Sequence, residues 1–209
     1  FHDAGAPFAT IDRFRRLAET GKLPVRMYVM VGREPTESLK VRLPQYRMIG
    51  VGGNYLTVRS IKLVADGALG SRGAWLLAPY ADLKTSVGLA TVPPGVIEAV
   101  ARVALADSFQ VATHAIGDRA NREVLNVYQK VLAGRTGLRW RVEHAQHLDP
   151  ADIPRFGQLG VIASMQGIHT TSDGPWVLKR LGPARAEAGA YVWRSLLSSG
   201  AVVTNGTDV

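Results

Sequence analysis

The side chains able to do chemistry in this chain gather at the ends of apolar runs. In order they are His2 with Asp3, Lys62 with Asp66, His114, Glu143 with His144, Gln166 with His169, and Asp208. Neutral imidazoles and a carboxylate are nitrogen and oxygen donors for a Zn²⁺-type cation, and such sites keep positions open for water and substrate. Each residue also has a plainer reading. His114, in "VATHAIGDRANREVL", ends an apolar strand just before a turn at Gly117 and Asp118. Alone it reads as a core histidine. A second strand-end histidine, His144, shifts the balance towards a pair of ligands. His147 reads as a loop or surface residue, or as a support for a ligand. Asp208, in "NGTD", is either a ligand or a helix N-cap. Lys62, inside "RSIKLVAD", is a snorkelling lysine, a partner of Asp66, or a reactive amine with a lowered pKa.

These residues share a site only if the strands that carry them end on one face. The pattern supplies that arrangement. Residues 7–21 place Phe8, Ile11, Phe14, Leu17 and Ala18 at helical spacing before Gly21. The β-rich run 24–32 follows, then a weaker helical stretch interrupted by Pro44, then a strand over 55–67. A glycine-rich segment, 67–92, reads as a long loop of the kind that selects a ligand. Helices at 94–107, 119–133, 150–158 and 189–199 then alternate with strands at 109–118, 138–147, 160–167 and 201–209, and a polar loop precedes the last helix. Such alternation means a parallel sheet with right-handed crossovers. No GxGxxG follows a first strand, so a dinucleotide fold lacks its fingerprint. The expected class is α/β, a TIM (β/α)8 barrel left incomplete, since six full strands cannot close one. "FHDAG" reads as the tail of a strand and "GTDV" as a strand tip, which implies the middle of a larger protein.

Composition narrows the function further. The chain has no cysteine, which removes thiolate metal sites and cysteine nucleophiles. Its net charge of +8 invites a nucleic-acid reading, yet the densest basic cluster, "RFRR" at 13–16, lies in a helical stretch as a solvated face. No stacking motif accompanies it, so no nucleic-acid partner is expected. No apolar run is long enough for a membrane helix, so no membrane partner is expected. No signal peptide is visible, and the absence of cysteine leaves the compartment open, with the cytoplasm favoured.

With these segments in view, the chain resembles the metal-dependent amidohydrolase superfamily, and within it the branch of N-substituted formamide deformylase-like enzymes. The matching segments are "HDAG" (2–5), "IKLVADGALGSRGAWL" (61–76), "THAIGDRAN" (113–121), "RVEHAQ" (141–146), "MQGIHTTSD" (165–173) and "NGTD" (205–208). The resemblance implies that residues 1–209 are the central and C-terminal part of one amidohydrolase barrel domain. It implies that His114 and His144 are metal ligands at the fifth and sixth barrel strands. Lys62 matches a lysine carbamylated by CO₂ that bridges two metals. Asp208 matches the eighth-strand aspartate that binds metal and shuttles a proton. His169 matches a histidine facing the substrate carbonyl, and either His169 or Arg72, from "GSRG", would stabilise the oxyanion. The implied cofactor is a divalent metal, Zn²⁺, as one or two ions. The implied substrate is a small molecule with an amide-type C–N bond, and a homo-oligomer is compatible with the pattern. The family's first-strand HxH pair and flanking β-sandwich have no counterpart here, which implies that these residues alone are hydrolytically inactive. The rival readings are a Schiff-base aldolase-type barrel using Lys62, an inactive fragment and a basic binding module.

Overall fold

A computed structural model describes residues 1–208. Contacts divide the chain into two compact units, residues 1–63 with 99–112 and residues 64–98 with 113–209.

The first unit opens with strand β1 (His2–Ala6), helix α1 (Phe8–Glu19) and strand β2 (Met27–Val31). Helix α1 forms because Phe8, Ile11 and Ala18 fall on one buried stripe. β1 and β2 are parallel, with His2 opposite Tyr28 and Asp3 opposite Val29. They approach closely at Gly5 and Gly32, where a Cβ on Gly32 would lie 2.7 Å from the Gly5 Cα. Next comes α2 (Thr36–Arg42), which gives way to a 3-10 turn over Leu43–Tyr46 at Pro44, a residue without an N–H to continue the ladder. The sequence pattern does not announce the short strand β3 (Met48–Gly50), which pairs antiparallel with β4 (Leu56–Val64). Between them α3 (Val51–Asn54) is closer to a turn, because Gly52 and Gly53 are left-handed.

Helix α4 (Pro94–Ala106) and strand β5 (Gln110–Ala115) run through the division between the units. β5 is almost continuously buried, as a parallel strand covered on both faces should be. The second unit continues with α5 (Asp118–Leu132), β6 (Arg141–His144), α6 (Ile153–Leu159) and β7 (Ile162–Met165). Three helices then occupy the stretch expected as a polar loop: α7 (His169–Ser172), α8 (Gly174–Leu181) and α9 (Pro183–Gly189). The start signals were prolines, Pro175 and Pro183, each within the first two positions of its helix. Val177, Leu181 and Ala186 are buried, and so is Arg180, which bonds Asp82 and the Gly70 carbonyl. α10 (Trp193–Ser198) and β8 (Val203–Asn205) complete the described elements.

The sheet order is β1-β2-β4-β5-β6-β7-β8, with β3 off the path. The recorded registers β1–β2, β2–β4, β6–β7 and β7–β8 are all parallel. Sequential parallel strands with helices between them make the incomplete (β/α)8 fold expected from the sequence. Residues 67–92 contain no helix or strand beyond a Tyr80–Leu83 bridge, yet they are not loose. Leu69, Ala74, Leu76 and Tyr80 pack into one buried cluster with Val177, Leu181 and Ala186. Among the described residues, no helix is long and apolar enough to cross a membrane.

Candidate metal centre

His114 is the next-to-last residue of strand β5, and the groups around it are fixed by a buried carboxylate. Asp66 is 1% exposed and accepts the amides of Ile116 (2.9 Å), Gly117 (2.8 Å) and Trp75 (2.8 Å). These bonds draw residues 115–117 against Trp75 so tightly that a Cβ on Gly117 would lie 2.0 Å from the Trp75 carbonyl oxygen. Gly117 therefore serves close approach. Asp66 Oδ1 also lies 3.4 Å from His114 Nε2, without a hydrogen bond between them.

His144 ends β6 in an unusual backbone state. Its φ is +75° and that of Ala145 is +43°, left-handed values that cost on the order of 1–3 kcal/mol each for non-glycine residues. Strain of this kind persists only where surrounding contacts over-determine it. Here the β6–β7 ladder runs up to Glu143 opposite Ser164, and Gln166, just past β7, receives the ring. Gln166 Nε2 donates to the Ser164 carbonyl at 3.1 Å, so its Oε1 is turned towards His144. His144 Nδ1 lies 2.8 Å from that oxygen and must carry the proton, leaving the lone pair on Nε2. The His114 and His144 rings meet edge-on with centroids 4.4 Å apart.

His169 and Asp208 complete the group. His169 is the first residue of the single turn α7, and its ring stacks on His144 at 5.5 Å. β8 is held to the end of β7 by Gly206 N on the Met165 carbonyl (2.9 Å) and Gly167 N on Asn205 Oδ1 (2.8 Å). Beyond those anchors Asp208, itself left-handed at φ +65°, brings Oδ2 to 3.4 Å from His169 Nε2. One ligand atom from each of His144, His169 and Asp208 lies within 4.8 Å of the other two.

Of the six residues to which a catalytic or metal role was expected, four thus share one neighbourhood: His114, His144, His169 and Asp208. Arg72 is engaged elsewhere, its Nη2 2.9 Å from Asp82, a carboxylate also held by Arg180 and driven below its ordinary pKa chiefly by the Arg72 hydrogen bond. Lys62 lies half-buried on β4 in the first unit, its Cγ 3.6 Å from where a Cβ on Gly5 would stand. Glu143 turns away to pair with Arg141 at 2.8 Å. His147 is no surface residue. It is 2% exposed, with neither ring nitrogen hydrogen-bonded, and burial pulls its pKa down to about 3. Sequence reasoning marked Gln166 as a strand-end residue without a role and Asp66 only as a possible partner of Lys62. It missed Gln146 and Tyr191 altogether, since no local spacing connects positions so far apart.

The donor set suits a divalent cation. The tautomer set by Gln166 aims the His144 lone pair away from its partner, and a carboxylate supplies negative charge.

The pattern of the Amidohydrolase family matches residues 3–209. Protein LONG AFTER FAR-RED 3 of Arabidopsis thaliana is 39% identical over 156 residues, which is 74% of this chain and 27% of that protein. The putative amidohydrolase YtcJ of Bacillus subtilis (strain 168) is 32% identical over 195 residues, 93% of this chain and 35% of that protein. The chain therefore spans about a third or less of the length of these relatives. Among solved structures, an uncharacterized metal-dependent hydrolase from Pyrococcus furiosus matches with a TM-score of 0.82 and 28% identity, over all of this chain and 42% of that one.

Proposed function

The chain belongs to the amidohydrolase family, and on that premise we propose that the protein containing it is a metal-dependent hydrolase of non-peptide, amide-type C–N bonds. The observation that carries the reading is the His144–His169–Asp208 group, with the His144 tautomer set by Gln166. His114, His144 and Asp208 would hold the ion, and the resemblance adds Lys62 as a carbamylated ligand. We take zinc as the metal and the N-substituted formamide deformylase-like enzymes as the nearest branch, on the matching motifs "IKLVADGALGSRGAWL" and "THAIGDRAN". When bound, such a cation lowers the pKa of water towards ~7 and polarises a carbonyl.

The chain's own groups supply the rest. Asp208, with a half-exposed side chain, is the proton acceptor for the attacking water and returns that proton to the leaving nitrogen. His169 faces the substrate carbonyl and donates Nε2–H to the developing oxyanion. Arg72 is not assigned that role, because its guanidinium is already held by Asp82. A buried neutral lysine can react with CO₂, and the resulting carboxylate suits cations that an ammonium would repel. The segment 67–92 selects the substrate. Nothing in the structure favours the Schiff-base alternative, which would leave His114, His144 and Asp208 without work.

The test uses the full-length protein, stripped with chelator and reloaded with single divalent metals. It is assayed on N-formyl and N-acyl amines beside the matching esters. Metal-dependent release of amine is the expected result. Turnover unaffected by chelation overturns the metal reading, and cleavage of esters alone overturns the C–N assignment. Lys62→Ala should lose metal and activity, with partial rescue by short carboxylic acids. An unmodified Lys62 amine beside fully loaded metal would remove the carbamate.

A further inference from the structure

His169 sits on a helix of only four residues, α7, whose N-terminus has no side-chain cap. A single turn is not self-supporting, because nucleation fixes several dihedrals for one hydrogen bond. Something else must hold the imidazole over His144. The only side-chain bond to the His169 main chain among the described contacts comes from Tyr191, whose hydroxyl donates to the His169 carbonyl at 2.8 Å. The same carbonyl also accepts the Asp173 amide at 2.9 Å.

Tyr191 is itself firmly placed. Residues 189–191 pair antiparallel with 146–148, through Leu148 N on the Gly189 carbonyl (3.0 Å), a His147–Ala190 bridge, and Tyr191 N on the Gln146 carbonyl (2.9 Å). The approach requires glycine at 189, where a Cβ would fall 2.1 Å from the Leu148 oxygen. The Tyr191 ring rests between His147 and Trp193, each at 5.7 Å. Its oxygen accepts from Gln146 Nε2 at 3.1 Å, and that amide also reaches Asp173 Oδ2 at 3.2 Å. Burial, and next the nearby Asp173 charge, push the phenol pKa well above its usual value, so the hydroxyl stays a donor.

A phenol has one proton to give, and here it goes to the residue that carries the imidazole. Gln146, bonded to Tyr191 through both main chain and side chain, lies two residues beyond His144. We infer that Tyr191 is a positioning residue: through its hydroxyl it ties the α7 turn to the loop after β6, and so holds the His169 imidazole over His144 and beside Asp208. The ring supplies packing and the hydroxyl supplies register. This inference rests on the proposed role of His169.

The experiment uses the full-length protein with Tyr191→Phe, which keeps the ring and removes only the hydroxyl. Expected is a fall in kcat of about 10–100-fold, the range for partners that orient a reacting group, with KM little changed. Amide exchange over residues 167–173 should be faster in the variant, measured without substrate. His169→Ala and the double variant close a cycle, and Tyr191→Phe should have almost no further effect once His169 is gone. An unchanged exchange rate in 167–173 overturns the inference, as does an equal kcat loss in the His169→Ala background. Full activity of His169→Ala itself overturns the proposed role of His169 instead, and thereby separates the two failures.

Discussion

Two histidines three positions apart, His144 and His147 in "EHAQH", show how differently one short stretch can use the same side chain. Both are buried, at 6% and 2% exposure. His144 sits among groups that fix its ring: Gln166 on Nδ1, the His114 ring edge-on, the His169 ring stacked, and Asp208 within the same cluster. His147 sits in apolar contact with Tyr191, and its two nitrogens find no hydrogen bond. Only its backbone is used, pairing with Ala190 and giving its carbonyl to Asn121. The difference shows that burial alone does not make an imidazole a ligand. A ligand needs one nitrogen committed to a partner, so that the other is free of its proton.

The largest effect should come from breaking the first member of this pair. In the full-length protein, His144→Ala is expected to lose bound metal and to reduce turnover by well over the ~100-fold seen for outer partners. His147→Leu in the same protein should leave metal content intact. Elemental analysis and kcat on both variants check the contrast, and equal metal loss in the two would erase it.

Next in size is Asp208→Asn. Asparagine is nearly isosteric, so the fold and part of the metal affinity should survive, while general-base help worth roughly 10²–10⁴-fold leaves kcat. A pH–rate profile identifies the missing base. Near-wild-type turnover would make Asp208 a mere cap, a role asparagine fills about as well.

Gln166 sharpens the comparison at its cause. Gln166→Met removes the acceptor for His144 Nδ1–H and should weaken metal binding by about 10–100-fold without unfolding the chain. Competition with a metal-responsive dye reads the affinity. An unchanged affinity would show that the tautomer is set by something else.

His147 should affect stability alone, not metal or turnover. Its folded pKa is about 3, against about 6.5 in an unfolded chain, so between those values the unfolded state binds a proton that the folded state refuses. Stability from this residue is complete above pH 6.5 and declines as the pH falls, at ~1.4 kcal/mol per pH unit for one proton. Urea titrations from pH 7 to pH 4 should show a shallower decline in His147→Leu. Parallel curves for the two proteins would mean that His147 takes up its proton without unfolding.

Much of this was legible in one dimension. Strand and helix alternation, the strand-end positions of His114, His144 and Asp208, and the absence of thiolate chemistry follow from local pattern and residue type, because periodicity reports which face of an element is buried. The helices at 169–189 escaped because three elements of four to eight residues show too little periodicity, until Val177, Leu181 and Ala186 are seen packing on Leu76 and Tyr80. His147 was placed near the surface because a residue just past a strand usually is, and only its pairing with Ala190 buries it.

The sequence by itself determined which donors exist, which strands carry them and that those strands run parallel. Tertiary structure alone decided which imidazoles have a proton partner, that Arg72 is spent on Asp82, and that Tyr191 reaches His169. The physical reason is range. Hydrophobic period and turn chemistry act over a few residues, whereas a hydrogen bond is fixed to within a few tenths of an ångström by chain segments that meet only on folding.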